Sequence, residues 1–195
     1  EMEKGIYYDP FRAENYFNLS VIIEDRAIRT QNPTDIENMI FMARRAHELE
    51  PFSANYMGRY GQLLLNFVDI EAGLSYIDQT IKISPNNVSN YVFAAITRLN
   101  LAEFYIQMDA PTEAEYFLNQ IFVIEQQMAD RFGHSQPLNF VLGRTHQLLG
   151  NEPAAIEYFQ SVRENEQNYR EAQQFLSENL GENGVTEDDE AIVTK

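Results

Sequence analysis

The feature that most constrains this chain is an internal repeat. The segment Ala54–Asn87 spans 34 residues, and the segment Gln136–Tyr169 repeats its pattern of apolar and small residues in the same register. A period of this length is typical of arrays in which each repeat contributes a pair of short helices. The repeat therefore predicts an all-helical chain, and its frequent Leu, Ala, Glu and Gln residues favour the same conclusion.

Within each repeat, small residues stand where two paired helices must approach closely. In the first segment these are Gly61, Gly73 and Thr80, and Pro85 follows the second helix, which it cannot continue. The second segment carries its matching residues at the same offsets, at Leu142, Gly143, Ala155 and Phe159.

Two further units match the pattern with one irregularity. The first runs from about Tyr16 to Pro51 and the other from about Tyr91 to Ile121, and each has seven residues too many. Seven residues are close to two helical turns, about 7.2 residues, so the insertion lengthens a helix without rotating its apolar stripe off the core. Pro33 and Pro111 are well placed as the first residues of the helices that follow the insertions. The predicted order of units is long, short, long, short.

These offsets resemble the signature of the tetratricopeptide repeat (TPR), W-x2-L-G-x2-Y followed by A-x3-F and P, with Tyr60-Gly61 and Leu142-Gly143 at its L-G pair. The resemblance implies an all-α, right-handed TPR-type solenoid with about four repeats. The expected repeats are 10–53, 54–87, 88–130 and 136–169, followed by a capping helix at 168–180 and an acidic tail, 181–195, that is expected to be disordered. The expected helices are 10–30, 33–49, 54–67, 70–83, 88–108, 111–130, 136–149, 152–164 and 168–180.

Charge and residue inventory argue against several classes of function. A formal net charge of −16 repels phosphate backbones, so a nucleic-acid partner is not expected. The chain has no Cys and only three His, without ligand-like spacing, so no metal site, cofactor or catalytic constellation is predicted. His146 is expected at a partly buried core position and His47 on the solvent side of its helix. No apolar run approaches the roughly 20 residues that span a bilayer, so membrane insertion by this segment is not expected.

The remaining class is a scaffold that binds a protein or a peptide. The TPR resemblance implies that the first helices of the repeats line a concave, peptide-binding face. Carried over by repeat position, that face consists of Phe17, Val21, Glu24, Asn55, Gln62, Asn66, Val92, Ile96, Asn100, Phe140, Arg144 and Gln147. Amides among them suit a peptide backbone and apolar groups suit its side chains, although the same residues are also compatible with merely solvated helix faces.

Two expectations refine this face. The basic carboxylate clamp of one TPR subgroup is not expected, because Phe17 and Val21, then Arg59, and finally Ser89 and Phe93 occupy its positions. The two extended first helices are expected to form walls around the shorter second unit. They would create a notch near Gln62, Asn66, Val92 and Ile96.

The sequence constrains the larger protein to which this chain is expected to belong less than it constrains the fold. The lead-in 8–16 is similar, more distantly, to repeats that follow membrane-embedded O-antigen ligase or polymerase-like proteins of bacteria, which implies an extracytoplasmic scaffold. The chain starts at Glu1 rather than Met, so a longer protein is expected upstream. The alternatives are a free-standing cytoplasmic adaptor and a catalytic domain, for which no site is found. The aromatic cluster from Tyr7 to Phe17 could cap the array or form a homodimer.

Overall fold

The computed structural model of the chain describes Tyr7, residues 9–163 and residues 168–180, and these ranges contain helices and loops without any strand. The α-helices of this part are α1 (Ala13–Thr30), α2 (Pro33–Leu49), α3 (Ala54–Phe67), α4 (Ile70–Ile83), α5 (Val88–Gln107), α6 (Pro111–Phe132), α7 (Asn139–Leu148), α8 (Glu152–Gln160) and α9 (Tyr169–Leu180). A short 3-10 helix, Gln136–Leu138, precedes α7. The chain divides into two compact units, residues 1–94 and 95–195, and α5 begins in the first and ends in the second.

Side-chain caps start α2 and α4 of the first unit, and α2 also begins with a proline. The side chain of Asn32 accepts a hydrogen bond of 3.0 Å from the backbone N–H of Thr34, and Pro33 is the first residue of α2. At the start of α4, Asp69 accepts a bond of 2.7 Å from the N–H of Ala72. Such contacts satisfy backbone donors that have no partner inside the helix. The bounds of α2, α3 and α4 are those predicted from the sequence.

The start of α1 differs from the prediction. Asp9 and Pro10 are residue types that often start a helix, and the helix was therefore expected from residue 10. It begins instead at Ala13, because Arg12 has an extended backbone with ψ of 106°. The hydroxyl of Tyr16 donates to the carbonyl of Pro10 at 3.1 Å, which holds Pro10 in a turn ahead of the helix.

The end of α8 also differs. It was expected near residue 164, but the helix ends at Gln160. The N–H of Ser161 donates to the carbonyl of Tyr158 at 3.0 Å, an i to i+3 bond that tightens and terminates the last turn. The predicted acidic tail, 181–195, lies outside the described residues, and the repeat boundaries stay predictions.

In the first unit, the hairpins α1–α2 and α3–α4 share one apolar core. Its buried members are Leu19, Ile23, Ala27, Met39, Ala43 and Leu63. The two helices of the second hairpin come closest at Gly61 and Gly73, where a Cβ added to Gly73 would lie 2.5 Å from the Cβ of Leu65. The buried residues of α1 and α3 face this core. Residues on other faces of the same two helices line the groove described below.

In the second unit, α7 and α8 form a hairpin and α9 packs against α8. The buried residues of this core are Ala155, Phe159, Val162, Ala172 and Leu176. Gly143 of α7 lies so close to the Phe159 ring that an added Cβ would be 2.7 Å from it. Among the helices of the described ranges, none combines the length and the apolar character needed to cross a membrane.

Candidate functional site

A groove in the first unit, which we call the α1–α3 groove, encloses a cavity of about 580 Å³. Its residues come from one face of α1, one face of α3, the end of α4, the loop after it and the first turns of α5. They are Phe17, Val21, Glu24, Ala54, Asn55, Gly58, Arg59, Gln62, Thr80, Asn87, Ser89, Asn90 and Phe93. A cavity of this size falls within the range of about 300–1,000 Å³ that is usual for ligand-binding clefts.

Helical spacing explains how α3 contributes so many residues. Asn55, Gly58, Arg59 and Gln62 follow the i, i+3, i+4, i+7 pattern, which places them on one face of the helix. Gly58 has no side chain, and a Cβ built on it would lie 3.6 Å from both Phe93 and Thr80. Gly58 therefore keeps the middle of the groove open between those two side chains.

Arg59 makes the principal polar contacts of the groove. Its Nη1 donates to a carboxylate oxygen of Glu24 at 2.9 Å, and its Nη2 donates to the carbonyl of Ser20 at 3.1 Å. A longer contact of 3.4 Å joins its Nε to the hydroxyl of Ser20. Its side chain is only 9% exposed, whereas that of Glu24 is 28% exposed. The guanidinium is therefore covered, and the carboxylate is the more accessible end of the pair.

Apolar and amide groups occupy the remaining walls. The Phe17 ring lies 5.2 Å from the ring of Tyr56 and flanks Val21, which is exposed. Asn90 has a structural role, since its amide donates to the carbonyl of Thr80 at 2.9 Å. The side-chain amides of Asn55 and Gln62 make no hydrogen bond within the described part of the chain. They can therefore pair with a ligand without breaking a bond inside the protein.

A second groove lies entirely in the second unit, between α7 and α9, and encloses about 540 Å³. Its lining residues are Arg144, Gln147, Phe159, Arg170, Glu171, Gln174, Phe175 and Glu178. The guanidinium of Arg144 already has two hydrogen-bond partners, the carboxylate of Glu103 at 2.6 Å and the amide oxygen of Gln147 at 2.7 Å. This α7–α9 groove carries equal numbers of basic and acidic side chains.

The residues predicted to line a binding face fall into three groups. Phe17, Val21, Glu24, Asn55 and Gln62 line the α1–α3 groove. Arg144 and Gln147 line the α7–α9 groove. The other predicted residues, Asn66, Val92, Ile96, Asn100 and Phe140, line neither cavity.

The residues outside both grooves have different surroundings. Phe140 packs on Phe159 with ring centroids 5.8 Å apart, which makes it part of the local core. Asn66 and Asn100 are exposed. The predicted notch combines Gln62 with residues of both units, and it stays a prediction.

The groove is also lined by Arg59, Ser89 and Phe93, which were not among the predicted lining residues although all three stand at positions of the carboxylate clamp. The signal for Arg59 was helical spacing, because it lies four residues after Asn55 on the same face. On α5, the assignment started from Val92, but the groove is lined by Ser89 and Phe93, which is a rotation of one residue around the helix.

His47 does not lie on the solvent side of its helix as predicted. Its ring packs 6.0 Å from that of Tyr60 and 5.4 Å from that of Tyr76. Its Nδ1 is buried and has no hydrogen-bond partner among the described residues. Burial lowers the pKa of His47 because the imidazolium form loses hydration. The reason for the error is that the next repeat covers this face of α2.

His146 is partly buried, as predicted. It stacks on Tyr158 with ring centroids 5.4 Å apart and lies 5.0 Å from Phe122, and burial lowers its pKa. Tyr158 in turn donates to the carboxylate of Glu125 at 3.0 Å. Burial and the negative charge of Glu125 raise the pKa of Tyr158 to about 12. Within the described residues, no group of His, Asp or Glu side chains is arranged to hold a metal ion.

Comparison with known proteins identifies the fold and no closer relationship. No protein-family model and no curated protein matches the chain. Among solved structures, TTC0263, a thermophilic TPR protein from Thermus thermophilus, is similar with a TM-score of 0.61 and 15% identity, over 87% of this chain and 83% of that chain. The chain has a TPR-like fold. The all-α, helical-repeat class predicted from the sequence is thus confirmed.

Two further structures with a TPR-like fold have lower scores. MamA has a TM-score of 0.51 and 15% identity, over 89% of this chain and 85% of that chain. PilW, a widely conserved type IV pilus biogenesis factor, has a TM-score of 0.52 and 19% identity, over 99% of this chain and 88% of that chain. None of the three is described as part of a glycan ligase or polymerase, so these structures lend that resemblance no support. At such low identity they define the fold alone.

Proposed function

We propose that this protein is a non-catalytic interaction scaffold whose α1–α3 groove binds an extended peptide segment of a partner protein. The observation that carries the proposal is the composition of the groove, in which apolar walls stand beside the amides of Asn55 and Gln62, which have no partner among the described residues. An extended peptide needs both, because its backbone must exchange hydrogen bonds while its side chains bury apolar surface.

The same composition does not suit catalysis. Within the described part of the chain, the groove is lined by no histidine and by one carboxylate, that of Glu24, which is already paired with Arg59. General acid–base or nucleophilic catalysis needs a titratable group placed against a reacting atom and free to exchange a proton. The groove therefore favours a ligand that is held and released unchanged.

A substitution at Gly58 tests the proposal, because a side chain added there fills the groove from α3. Gly58→Met should abolish binding of peptides selected on the wild-type protein from a displayed library, while circular dichroism shows unchanged helicity. Ser75→Met is the matched control, since it adds the same side chain to an exposed position of α4 outside the groove. Selected peptides that bind Gly58→Met and wild-type protein equally would show that the groove is not the site.

A further inference from the structure

The charges of the α1–α3 groove constrain the class of peptide that it can take. Among the described residues that line it, Arg59 is the only cationic side chain, and each of its three nitrogens has a contact with Glu24 or Ser20. A peptide carboxylate would have to displace these contacts from a side chain that is almost covered. The groove therefore has no donor of the kind that grips a C-terminal carboxylate or an acidic side chain.

Glu24, in contrast, can accept a hydrogen bond from a cationic group of a ligand. Arg59 donates to its Oε1, and no hydrogen bond to its Oε2 is formed by the described residues. A carboxylate has about four acceptor positions, so Glu24 can accept a further bond without losing Arg59. The chain as a whole carries a net charge of −16, which adds a general attraction for cations.

The route to Glu24 along α1 is apolar. Phe17, Val21 and Glu24 follow each other at i, i+4 and i+7, so they lie along one face of the helix. A long basic side chain has methylene groups that pack on apolar surface and a charged end that reaches beyond it. Its stem would lie on Phe17 and Val21, and its charged end would meet the carboxylate.

We infer that the α1–α3 groove selects internal peptide segments in which a Lys or Arg stands beside a large apolar residue, and that it rejects free C-terminal carboxylates. This inference rests on the proposed function, because it names the ligand of the same groove. The basic residue pairs with Glu24, the apolar residue packs toward Phe93, and the amides of Asn55 and Gln62 pair with the peptide backbone.

A random peptide library, fused at both ends so that no terminus is free, tests the inference. Clones are selected on the wild-type protein, and those that also bind Gly58→Met are removed. The remaining, groove-dependent clones should be enriched in Lys and Arg next to large apolar residues and depleted in Asp and Glu. Groove-dependent clones without basic enrichment overturn this inference and leave the proposed function in place, whereas the absence of any groove-dependent clone overturns the proposed function itself.

A second measurement assigns the preference to Glu24. Glu24→Gln keeps an oxygen that can accept from Arg59, and it should weaken binding of the selected peptides about five-fold, the effect of losing one partly exposed ion pair. Glu103→Gln is the matched control, because it removes the same charge from the Arg144 pair in the other unit and should leave affinity unchanged. Equal losses in the two variants overturn the assignment.

The salt dependence of wild-type binding provides a test without any substitution. An attraction between a basic residue and Glu24 is screened by added salt, so the affinity of the selected peptides should fall as ionic strength rises. The same peptides resynthesised with norleucine in place of the basic residue should bind with an affinity that salt leaves nearly unchanged. Identical salt dependence for the two versions contradicts the inference.

Discussion

The guanidinium of Arg59 lies 2.9 Å from the carboxylate of Glu24, although the two residues are 35 positions apart in the chain. The contact joins α3 to α1, which belong to different hairpins. It is unlike the surface pairs of the protein, such as that of Arg44 with Glu48, in which the arginine side chain is 51% exposed. A pair so well covered is expected to contribute more to stability than a surface pair does.

Replacing Arg59 should destabilise the first unit. Arg59→Met removes the donor that the Ser20 carbonyl and the Glu24 carboxylate share, and the loss of these contacts in a partly covered site should cost about 1–3 kcal/mol in total. Arg44→Met, which removes the exposed pair with Glu48 and the contact of the guanidinium with the Phe41 ring, should change the free energy of unfolding by no more than about 1 kcal/mol. Urea unfolding monitored by circular dichroism measures both variants, and equal shifts would refute the structural role of Arg59.

Two glycines of the second hairpin should respond in opposite directions to alanine. Gly58→Ala should raise the free energy of unfolding by about 0.5–1 kcal/mol, since the new Cβ has room and alanine favours the helix. Gly73→Ala should lower it by about 1–3 kcal/mol, because the new Cβ would lie 2.5 Å from both the backbone nitrogen and the Cβ of Leu65. Thermal unfolding measures both variants. A stable Gly73→Ala protein would mean that α3 and α4 are farther apart than described.

Tyr158 should make the protein less stable in strong alkali. Its pKa is about 12 in the folded protein and 10 in the unfolded chain, so between these values only the folded state keeps the proton. The stability that this difference in pKa contributes is fully present below pH 10 and is lost as the pH rises toward 12. Tyr158→Phe should flatten the fall in the unfolding free energy over this window. Tyr116→Phe, at an exposed position, serves as the control and should leave the slope unchanged.

His47 should make the protein sensitive to acid. Its pKa is lowered in the folded state, so below pH 6.5 the unfolded chain takes up a proton more readily than the folded protein does. Its contribution to stability is therefore present above pH 6.5 and is lost as the pH falls through the lower, folded-state value.

The substitution His47→Phe tests this contribution. It keeps the ring between Tyr60 and Tyr76 and removes the unpaired Nδ1, so it should add about 1 kcal/mol at neutral pH and reduce the loss of stability in acid. His134→Phe, at an exposed position, is the comparison. Denaturant midpoints at neutral and acidic pH decide the question, and an unchanged acid sensitivity of His47→Phe would exclude His47 as its source.

Much of the fold was predictable because its signals are local. Proline at Pro33 and Pro111, the capping residues Asn32 and Asp69, and the apolar stripes act within one or two turns, so they define most helix bounds. The start of α1 was missed because the Asp9-Pro10 signal suits a turn as well as a helix start. The end of α8 was missed because i to i+3 hydrogen bonds tighten its last turn, and no residue type in the sequence predicts such bonds.

The groove was only partly predictable, since it depends on contacts between repeats. The TPR resemblance, carried over by repeat position, placed Phe17, Val21 and Asn55 on the predicted binding face. It could not show that Arg59 would turn back to Ser20 and Glu24, because that requires the distance between α1 and α3. The burial of His47 was missed for the same reason, as its ring neighbours belong to the next repeat.

The bridge from Arg59 to α1 has a consequence for how this groove can change over evolutionary time. In repeat proteins, cooperativity of unfolding comes from the interfaces between neighbouring repeats. Here one such interface includes Ser20, Glu24 and Arg59, and two of these side chains also line the groove. A mutation of Glu24 or Arg59 that changes the lining of the groove therefore also changes the cooperativity with which the first two hairpins unfold. New specificities should arise first at Asn55, Gln62 and Ser89, whose side chains do not join the hairpins.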